Sequence, residues 1–273
     1  MQLLNKLFPP KEVELANGKK IAKPRSVTPV VIVLIVVFTY YAVQVTGFNF
    51  ETLVKRGNQF WVILGDMFPP TWNYLDKIWK PLFDTIKMSL FGSALGAIVA
   101  LPVAILASQN IMNNKILTAI FKVFLSILRT LPTLVSALVA TYIFGLGTMA
   151  GMVAIFLFSL SYVGKLLNEQ IESVDMGAFE AMESIGFTKL YAFRYAVLPE
   201  VLPSYLSTSL FNFEGNVRYA SILGYVGAGG IGMILNEKLG WRDYPSVGMI
   251  LITLLITVYI IETISEYFRK KLN

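Results

Sequence analysis

Residues 175–203 read DMGAFEAMESIGFTKLYAFRYAVLPEVLP and interrupt a chain that is otherwise dominated by long apolar stretches. Residues 176–185 suit a short helix, and Gly186 is a natural left-handed stop after it. Thr188 is a natural N-cap for a second helix. We expect that second helix to end at Leu198, because the residue before a proline avoids helical geometry. The stretch therefore predicts a polar helix–turn–helix, which cannot lie in lipid.

The apolar stretches around this segment indicate a membrane protein. The 273 residues are 55% hydrophobic and 15% charged, whereas soluble domains carry about 25% charged residues. A helix needs roughly 20 apolar residues to cross the hydrocarbon layer. Six stretches meet this requirement, the third of them with a break at a proline: 27–46, 84–108, 116–146, 148–168, 201–223 and 247–268. The predicted fold class is an all-α membrane protein with six transmembrane helices.

The distribution of Lys and Arg predicts the orientation of these spans. The two termini lie on one side of the membrane together with two polar links, one short and one long. This side carries roughly twice as many Lys and Arg as the opposite side, and positive charge favours the cytoplasm. We therefore expect a cytoplasmic N-terminal segment (1–26), a first transmembrane helix (27–46), an extracytoplasmic loop (47–83), and a transmembrane domain (84–273). Both termini and a loop at 173–200 within that domain are predicted to be cytoplasmic.

The predicted extracytoplasmic loop is rich in aromatic residues and prolines. Pro69, Pro70 and Pro81 are expected to break it up, since proline removes a backbone donor and disrupts helices. Trp and Tyr favour the headgroup level of a bilayer, so part of this segment is expected to lie on the membrane.

Composition excludes several classes of chemistry. The chain has no Cys and no His, which removes cysteine nucleophiles, zinc sites built on Cys or His, and Ser-His-Asp triads. It contains no G-x-x-x-x-G-K-[ST] motif, so we expect no phosphate loop of its own. We therefore predict that the chain is not an enzyme and binds no cofactor. Its net charge of +6 is attributed to basic residues flanking membrane spans and not to nucleic-acid binding.

The polar segment resembles the cytoplasmic loop of permease subunits of binding-protein-dependent ABC importers. In those subunits the loop has the pattern E-A-A-x-x-x-G, followed after nine residues by I-x-L-P. The present chain departs from this pattern only at Met182, in place of the second Ala, and at Ala196, in place of Ile, and both residues remain apolar. The resemblance implies that this loop, over 176–199, sits in a cleft of a separate ATPase and transmits its closure. The residues predicted to couple to the ATPase are Ala178, Glu180, Ala181, Glu183, Gly186, Leu198 and Pro199.

The fifth span has an unusual polar content. Residues 203–232 read PSYLSTSLFNFEGNVRYASILGYVGAGGIG. Charged residues inside a membrane are costly, but Glu214 and Arg218 are four apart and can pair on one helix face. Two alternatives stay open: Asn212, Glu214, Asn216 and Arg218 form a substrate pathway for an anion, or the Glu–Arg pair is structural at a dimer interface.

Four glycines follow this span: Gly227, Gly229, Gly230 and Gly232. They lack the βαβ context of a nucleotide-binding fingerprint. Glycine permits tight turns and close backbone approach, so we predict a re-entrant or gate-forming turn at the outer mouth. A plain flexible loop is the alternative.

The pattern N-F-E-G-N-V-R-x-A-x-x-L-G-x-V-G-A-G-G-I-G at 212–232 resembles phosphonate-type permeases, although methionine-type permeases share something similar to its closing glycines. The resemblance implies a type I ABC importer permease fold in the bacterial cytoplasmic membrane. It also implies a second permease copy or paralogue, a substrate-binding protein, and an ABC ATPase dimer that holds ATP and Mg. The implied cargo is a phosphonate, phosphite or phosphate-type oxyanion; a permease for methionine and a secondary transporter are the alternatives.

Overall fold

The computed structural model describes residues 12–14, 18, 20–22 and 28–272. Most of the predicted cytoplasmic segment 1–26 lies outside the described residues. The chain divides into two units, residues 1–62 and 63–273, and each is considered by itself below.

The first unit contains a short strand pair and a hydrophobic helix. Strand β1 (Glu12–Glu14) pairs antiparallel with β2 (Lys20–Ala22), a small exception to the predicted all-α class. Helix α1 (Thr28–Thr46) matches the first predicted span, and none of its residues is buried. Helix α2 (Phe50–Asp66) begins in this unit and ends in the second.

The described part of the second unit is built of helices. In chain order they are α3 (Leu75–Ala107), α4 (Lys115–Thr130), α5 (Thr133–Phe144), α6 (Thr148–Ser173), α7 (Gly177–Ser184), α8 (Lys189–Ala192), α9 (Leu198–Leu223), α10 (Ile231–Gly240) and α11 (Tyr244–Leu272). Short 3₁₀ turns precede α3 and follow α9, and a π-helical turn over Phe193–Val197 joins α8 to α9.

Within the described residues, the helices α1 to α11 provide up to six membrane spans. Four helices or helical runs are individually long and apolar enough to cross a bilayer: α1, α3 with its preceding turn, α6 and α11. Two bent pairs pass the same test together. Helices α4 and α5 meet at 91°, and the run from α8 to the turn after α9 meets α10 at 51°. Counting each bent pair as one span gives the six that the sequence predicts.

The break between α4 and α5 follows from the sequence. Leu131 is extended, with ψ of 119°, as expected for a residue before proline. At the other end of α4, the side chain of Asn114 accepts hydrogen bonds from the backbone N–H groups of Ile116 and Leu117, at 3.1 and 3.2 Å. This bond pattern satisfies donors that a helix start leaves free.

The centre of the unit is the contact between α3 and α6. Gly92 and Gly96 are buried there, and a Cβ atom at Gly96 would lie 2.5 Å from Cβ of Ser159 and 2.9 Å from the carbonyl oxygen of Phe156. The two backbones approach closely because the glycines leave room. Small residues serve this purpose in lipid, where helices gain little from hydrophobic burial.

Two sequence-based boundaries differ from the structure. Residues 47–83 were predicted to be a loop but are mostly helical. Helix α2 lies within this range, and α3 starts at Leu75 and continues through Pro81. The loss of one hydrogen bond at Pro81 is offset by packing: Ile78 and Leu82 are buried against Ile231 and neighbouring apolar side chains.

The second difference is at Leu198, where the sequence predicted a helix end. Instead the π-helical turn leads directly into α9, with Leu198 as its first residue and Pro199 in its first turn. Proline is tolerated near the start of a helix because its fixed φ suits helical geometry, and the N–H of Leu198 before it still donates to the carbonyl of Phe193.

Candidate functional site

Helix α7 is anchored on one side and open on the other. The ring of Phe179 is 2% exposed and belongs to an apolar cluster that includes Ala104 of α3, Ile171 of α6 and Val201 of α9. Met182, three residues further on and therefore on the same helix face, packs against the same cluster. The predicted coupling residues Ala178, Glu180 and Ala181 are all exposed.

The turn after α7 has the predicted left-handed glycine. Gly186 has φ of 97°. Its N–H donates to the carbonyl of Glu183 at 2.9 Å, and the N–H of Phe187 donates to that of Met182 at 3.1 Å. Thr188 occupies the predicted N-cap position of α8 with extended backbone, but its side chain makes no capping hydrogen bond.

Lys189 ties this segment to the link between α3 and α4. Its Nζ donates to Oδ1 of Asn113 at 2.6 Å and to the carbonyl of Ile111 at 3.2 Å. It also lies 3.8 Å from the carboxylate of Glu183. Glu183 is therefore partly engaged within the chain, whereas Glu180 makes no ion pair with the described residues. The two predicted coupling glutamates are not equivalent.

Apolar side chains beside Gly186 were not singled out in the sequence. Ile185 is 77% exposed and Leu190 is 72% exposed. We call Ala178, Glu180, Ala181, Ile185 and Leu190 the α7–α8 face. The sequence did contain a signal for Ile185 and Leu190, because both are large apolar residues in a polar segment that is too short to bury them. Of the other predicted coupling residues, Leu198 is half-buried and Pro199 is exposed.

The predicted pathway asparagines hold helices together. Nδ2 of Asn216 donates to Oγ of Ser93 on α3 at 2.8 Å and to Oγ of Ser159 on α6 at 2.9 Å. Nδ2 of Asn212 donates to the same Ser159 hydroxyl at 2.8 Å. Both asparagines are buried. These bonds fix α9 against the α3–α6 contact.

Glu214 is almost completely buried, with 2% of its side chain exposed. It pairs with Arg218, as the spacing predicted, and also with Nη2 of Arg269 on α11 at 3.5 Å. Arg269 was not predicted as a site residue, since nothing in the sequence indicates that the end of the last span contacts the fifth span. Its guanidinium lies over the ring of Phe211 at 5.4 Å.

Arg218 is exposed, whereas the other three predicted pathway residues are buried. Its side chain is 51% exposed and lines a cavity of about 430 Å³. The cavity wall also includes Asn212 and the aromatic residues Phe158, Tyr162 and Tyr219. An accessible guanidinium beside aromatic rings can bind an anion, because guanidinium groups match the geometry of carboxylate and phosphate oxygens.

The four glycines form a packed turn. Gly227, Gly229 and Gly230 have positive φ, and the N–H of Gly147 donates to the carbonyl of Gly227 at 2.9 Å. The N–H of Ile231, which begins α10, donates to Oγ1 of Thr85 at 2.7 Å. Gly232 lies against the backbone at the end of α9. These contacts favour a defined turn over the flexible-loop alternative, and its role as a gate stays a prediction.

The turn between α10 and α11 is fixed by an ion pair. Nζ of Lys238 donates to Oδ2 of Asp243 at 2.9 Å. This hydrogen bond holds the pKa of Asp243 below its usual value. Among the described residues, no group of three or more Asp or Glu side chains could hold a metal ion.

Helix α9 connects all these features. The α7–α8 face precedes its first residue and the glycine turn follows its last. Its 26 residues correspond to about 39 Å at the rise of an α-helix. The buried carboxylate and the exposed arginine lie between the two ends.

The sequence of this chain matches a known protein family. Residues 92–273 match the family described as binding-protein-dependent transport system inner membrane component. The chain belongs to this family. The predicted membership is thus confirmed, and the match includes the α7–α8 face, α9 and the glycine turn.

Curated relatives of this permease extend over most of its length. It is 31% identical to the permease protein HtxC of Stutzerimonas stutzeri, which is named for a phosphite transport system, over 94% of this chain and 92% of that protein. It is 33% identical to the phosphite transport system permease protein PtxC of the same species, over 76% of each chain.

Solved structures support the fold. The permease resembles a chain of the MetNI methionine ABC transporter in an inward-facing conformation, with a TM-score of 0.66 and 21% identity. The match covers 74% of this chain and 99% of that chain. The predicted type I ABC importer permease fold is therefore confirmed, as is a multi-pass membrane protein.

Proposed function

We propose that this permease is a subunit of an ATP-driven importer in a bacterial cytoplasmic membrane, and that it carries a phosphite, phosphonate or phosphate-type oxyanion. A separate ATPase dimer supplies the ATP and Mg, a binding protein delivers the substrate, and a second copy or paralogue completes the pathway. The names of the two relatives from Stutzerimonas stutzeri support the substrate class. The half-exposed Arg218 at the cavity is consistent with an anion.

The observation that carries the coupling role is the α7–α8 face. It presents a carboxylate without an ion pair among the described residues, two alanines and two large apolar side chains, on a segment that Phe179 anchors in a buried cluster. Short helices that lie in a partner's groove use small and apolar residues in this way. A face of this chemistry fits a cleft of an ATPase subunit.

The anchor of α7 suggests how movement reaches the spans. Phe179 packs among residues of α3, α6 and α9. Lys189 attaches the same segment to the link before α4. When closure of the ATPase dimer displaces α7, these contacts transmit the force to four helices at once. Close-packed interiors transmit such displacements because they deform little. Reorientation of the helices then opens the pathway on alternate sides.

The test is ATP-dependent uptake into proteoliposomes that contain the permease, its ATPase and its binding protein. Radiolabelled phosphite, methylphosphonate, phosphate and methionine are compared at equal concentration. The proposal expects uptake of at least one phosphorus oxyanion and none of methionine, and expects uptake to require ATP. Uptake of methionine alone would reject the substrate class, and uptake driven by an ion gradient without ATP would reject the importer mechanism.

A further inference from the structure

The inference concerns Glu214 and its two arginines, and it rests on the function proposed above. A buried carboxylate keeps its charge only if that charge is paired, because removing a charge from water is energetically costly. Glu214 has two partners, Arg218 on its own helix and Arg269 on α11. The three side chains together carry one net positive charge, which is more than the carboxylate needs for neutrality.

The two arginines hold the carboxylate unequally. Arg218 makes the close contact with Oε1 of Glu214, yet half of its side chain is exposed and it lines the cavity. Arg269 is more buried, and its Nη2 lies 3.5 Å from Oε2, at the limit of a hydrogen bond. Its Nε has no hydrogen-bond partner. Arg269 therefore has unused donors with which it can hold the carboxylate more firmly.

Other polar atoms on the same two helices also lack partners. Oδ1 of Asn212, two residues before Glu214, and Oγ of Ser265, one turn before Arg269, are buried and make no hydrogen bond within the described residues. Buried polar groups are nearly always satisfied, so these two atoms are available to a bound group, a water molecule or a rearranged neighbour. Asn212 also lines the cavity that Arg218 faces.

We propose that this cluster is an oxyanion subsite with an internal counter-ion. A small phosphorus oxyanion in the cavity binds the guanidinium of Arg218 and displaces Glu214 from it. Arg269 then retains the carboxylate through its unused donors. When the anion leaves, Glu214 returns to Arg218. Glu214 thus weakens anion binding enough to permit release, and Arg269 is the positioning residue that permits the exchange.

The exchange predicts effects of opposite sign. Glu214→Gln removes the competitor, so the anion should bind more tightly. Arg269→Gln leaves Glu214 with Arg218 as its only partner, so the anion should bind more weakly. Each change removes a charge-assisted contact, which corresponds to about tenfold in Kd. A merely structural cluster would give loss of binding or of assembly in both variants.

The experiment measures equilibrium binding of radiolabelled inorganic phosphate to the purified permease–ATPase complex in nanodiscs, without binding protein. Arg269→Lys is the matched control, since it keeps the charge and should restore part of the affinity that Arg269→Gln loses. If Glu214→Gln fails to assemble, the Arg269→Gln and Arg269→Lys pair still decides the question. Shifts of the same sign in Glu214→Gln and Arg269→Gln, or no shift in either, would overturn the inference.

Uptake into proteoliposomes that contain the wild-type permease, its ATPase and its binding protein separates this inference from the proposed function. If the wild type transports a phosphorus oxyanion but the complex binds no phosphate, the inference fails and the function stands. If the complex shows the opposed shifts but transports none of the four substrates tested, the anion subsite stands and the substrate class is rejected.

Discussion

The α7–α8 face and the polar stretch of α9 contrast in where their side chains point. Both contain glutamate in a segment that the sequence marks as unusual. On α7 the aromatic ring of Phe179 is inside, and Glu180 is outside with no ion pair in the part of the chain that the structure describes. On α9 the order is reversed, because Asn216 and Glu214 are inside and bonded to neighbouring helices.

This contrast separates two kinds of polar site in a membrane protein. A polar side chain bonded within the bundle has its partner already, and its removal affects the fold first. An exposed carboxylate beside exposed apolar side chains has no internal partner, and its removal affects association first. The predictions below test this separation, in order of decreasing effect.

Phe179→Ala should give the largest effect. It removes a fully buried ring, and such truncations cost about 3–5 kcal/mol. We expect α7 to detach locally, so that limited proteolysis cleaves the 173–200 loop and the ATPase no longer co-purifies. Phe179→Leu keeps most of the volume and should retain co-purification. Equal protease resistance of Phe179→Ala and wild type would show that the ring is not the anchor.

Gly186→Val should abolish coupling while the protein still inserts. Gly186 has φ of 97°, where a β-branched residue is strongly disfavoured. The backbone strain costs on the order of 1–3 kcal/mol. This cost favours other conformations of the turn over the observed one. ATP-dependent uptake is expected to fall at least about tenfold, with unchanged membrane expression.

Matched controls at this turn distinguish backbone strain from lost space. Apart from Gly186 and its two chain neighbours, no atom of the described residues lies within 4 Å of a Cβ built at Gly186, so a side chain there meets no steric obstacle in the fold. Gly186→Asn should preserve uptake, because asparagine tolerates left-handed geometry. If Asn and Val variants lose uptake equally, the left-handed backbone is not what coupling requires.

Glu180→Lys should weaken ATPase association by about 1 kcal/mol or more, because it removes a solvent-accessible ion pair worth up to about 1 kcal/mol and adds a like-charge repulsion. The fold should be unaffected, because Glu180 is exposed. Glu183→Gln is the comparison, since Glu183 already faces Lys189, and it should reduce association less. Pull-down titration of the ATPase checks both. A larger effect at Glu183 would reverse the proposed division between the two glutamates.

Asn216→Ala should give the smallest effect on coupling. It removes two interhelical hydrogen bonds, and such bonds in membrane proteins contribute on average about 0.6 kcal/mol each. We expect a modest drop in thermal stability in detergent and normal association with the ATPase. Loss of ATPase association without loss of stability would place Asn216 in the coupling apparatus instead.

Local chemistry made parts of this fold predictable. Gly186 takes the left-handed geometry that its position after a short helix predicted, and Pro132 breaks α4 from α5 where the residue before it must be extended. The Glu214–Arg218 pair followed from a spacing of four. Each of these features depends on neighbours in sequence.

Features that depend on distant neighbours were missed. Pro81 was expected to break up the segment 47–83, but packing of Ile78 and Leu82 against α10 and α11 keeps α3 continuous. Arg269 reaches Glu214 across 55 positions, and Lys189 reaches Asn113 across 76. Helix periodicity contains no information about such pairs, because they follow from how the helices pack.

The central claim is that the α7–α8 face is where the ATPase binds, and cysteine labelling tests it most directly. The chain has no native cysteine, so Ala181→Cys introduces a single reactive site on an exposed position. The account predicts rapid maleimide labelling of the permease alone and strong protection when the ATPase dimer is bound. Labelling at the same rate with and without the ATPase would contradict the account.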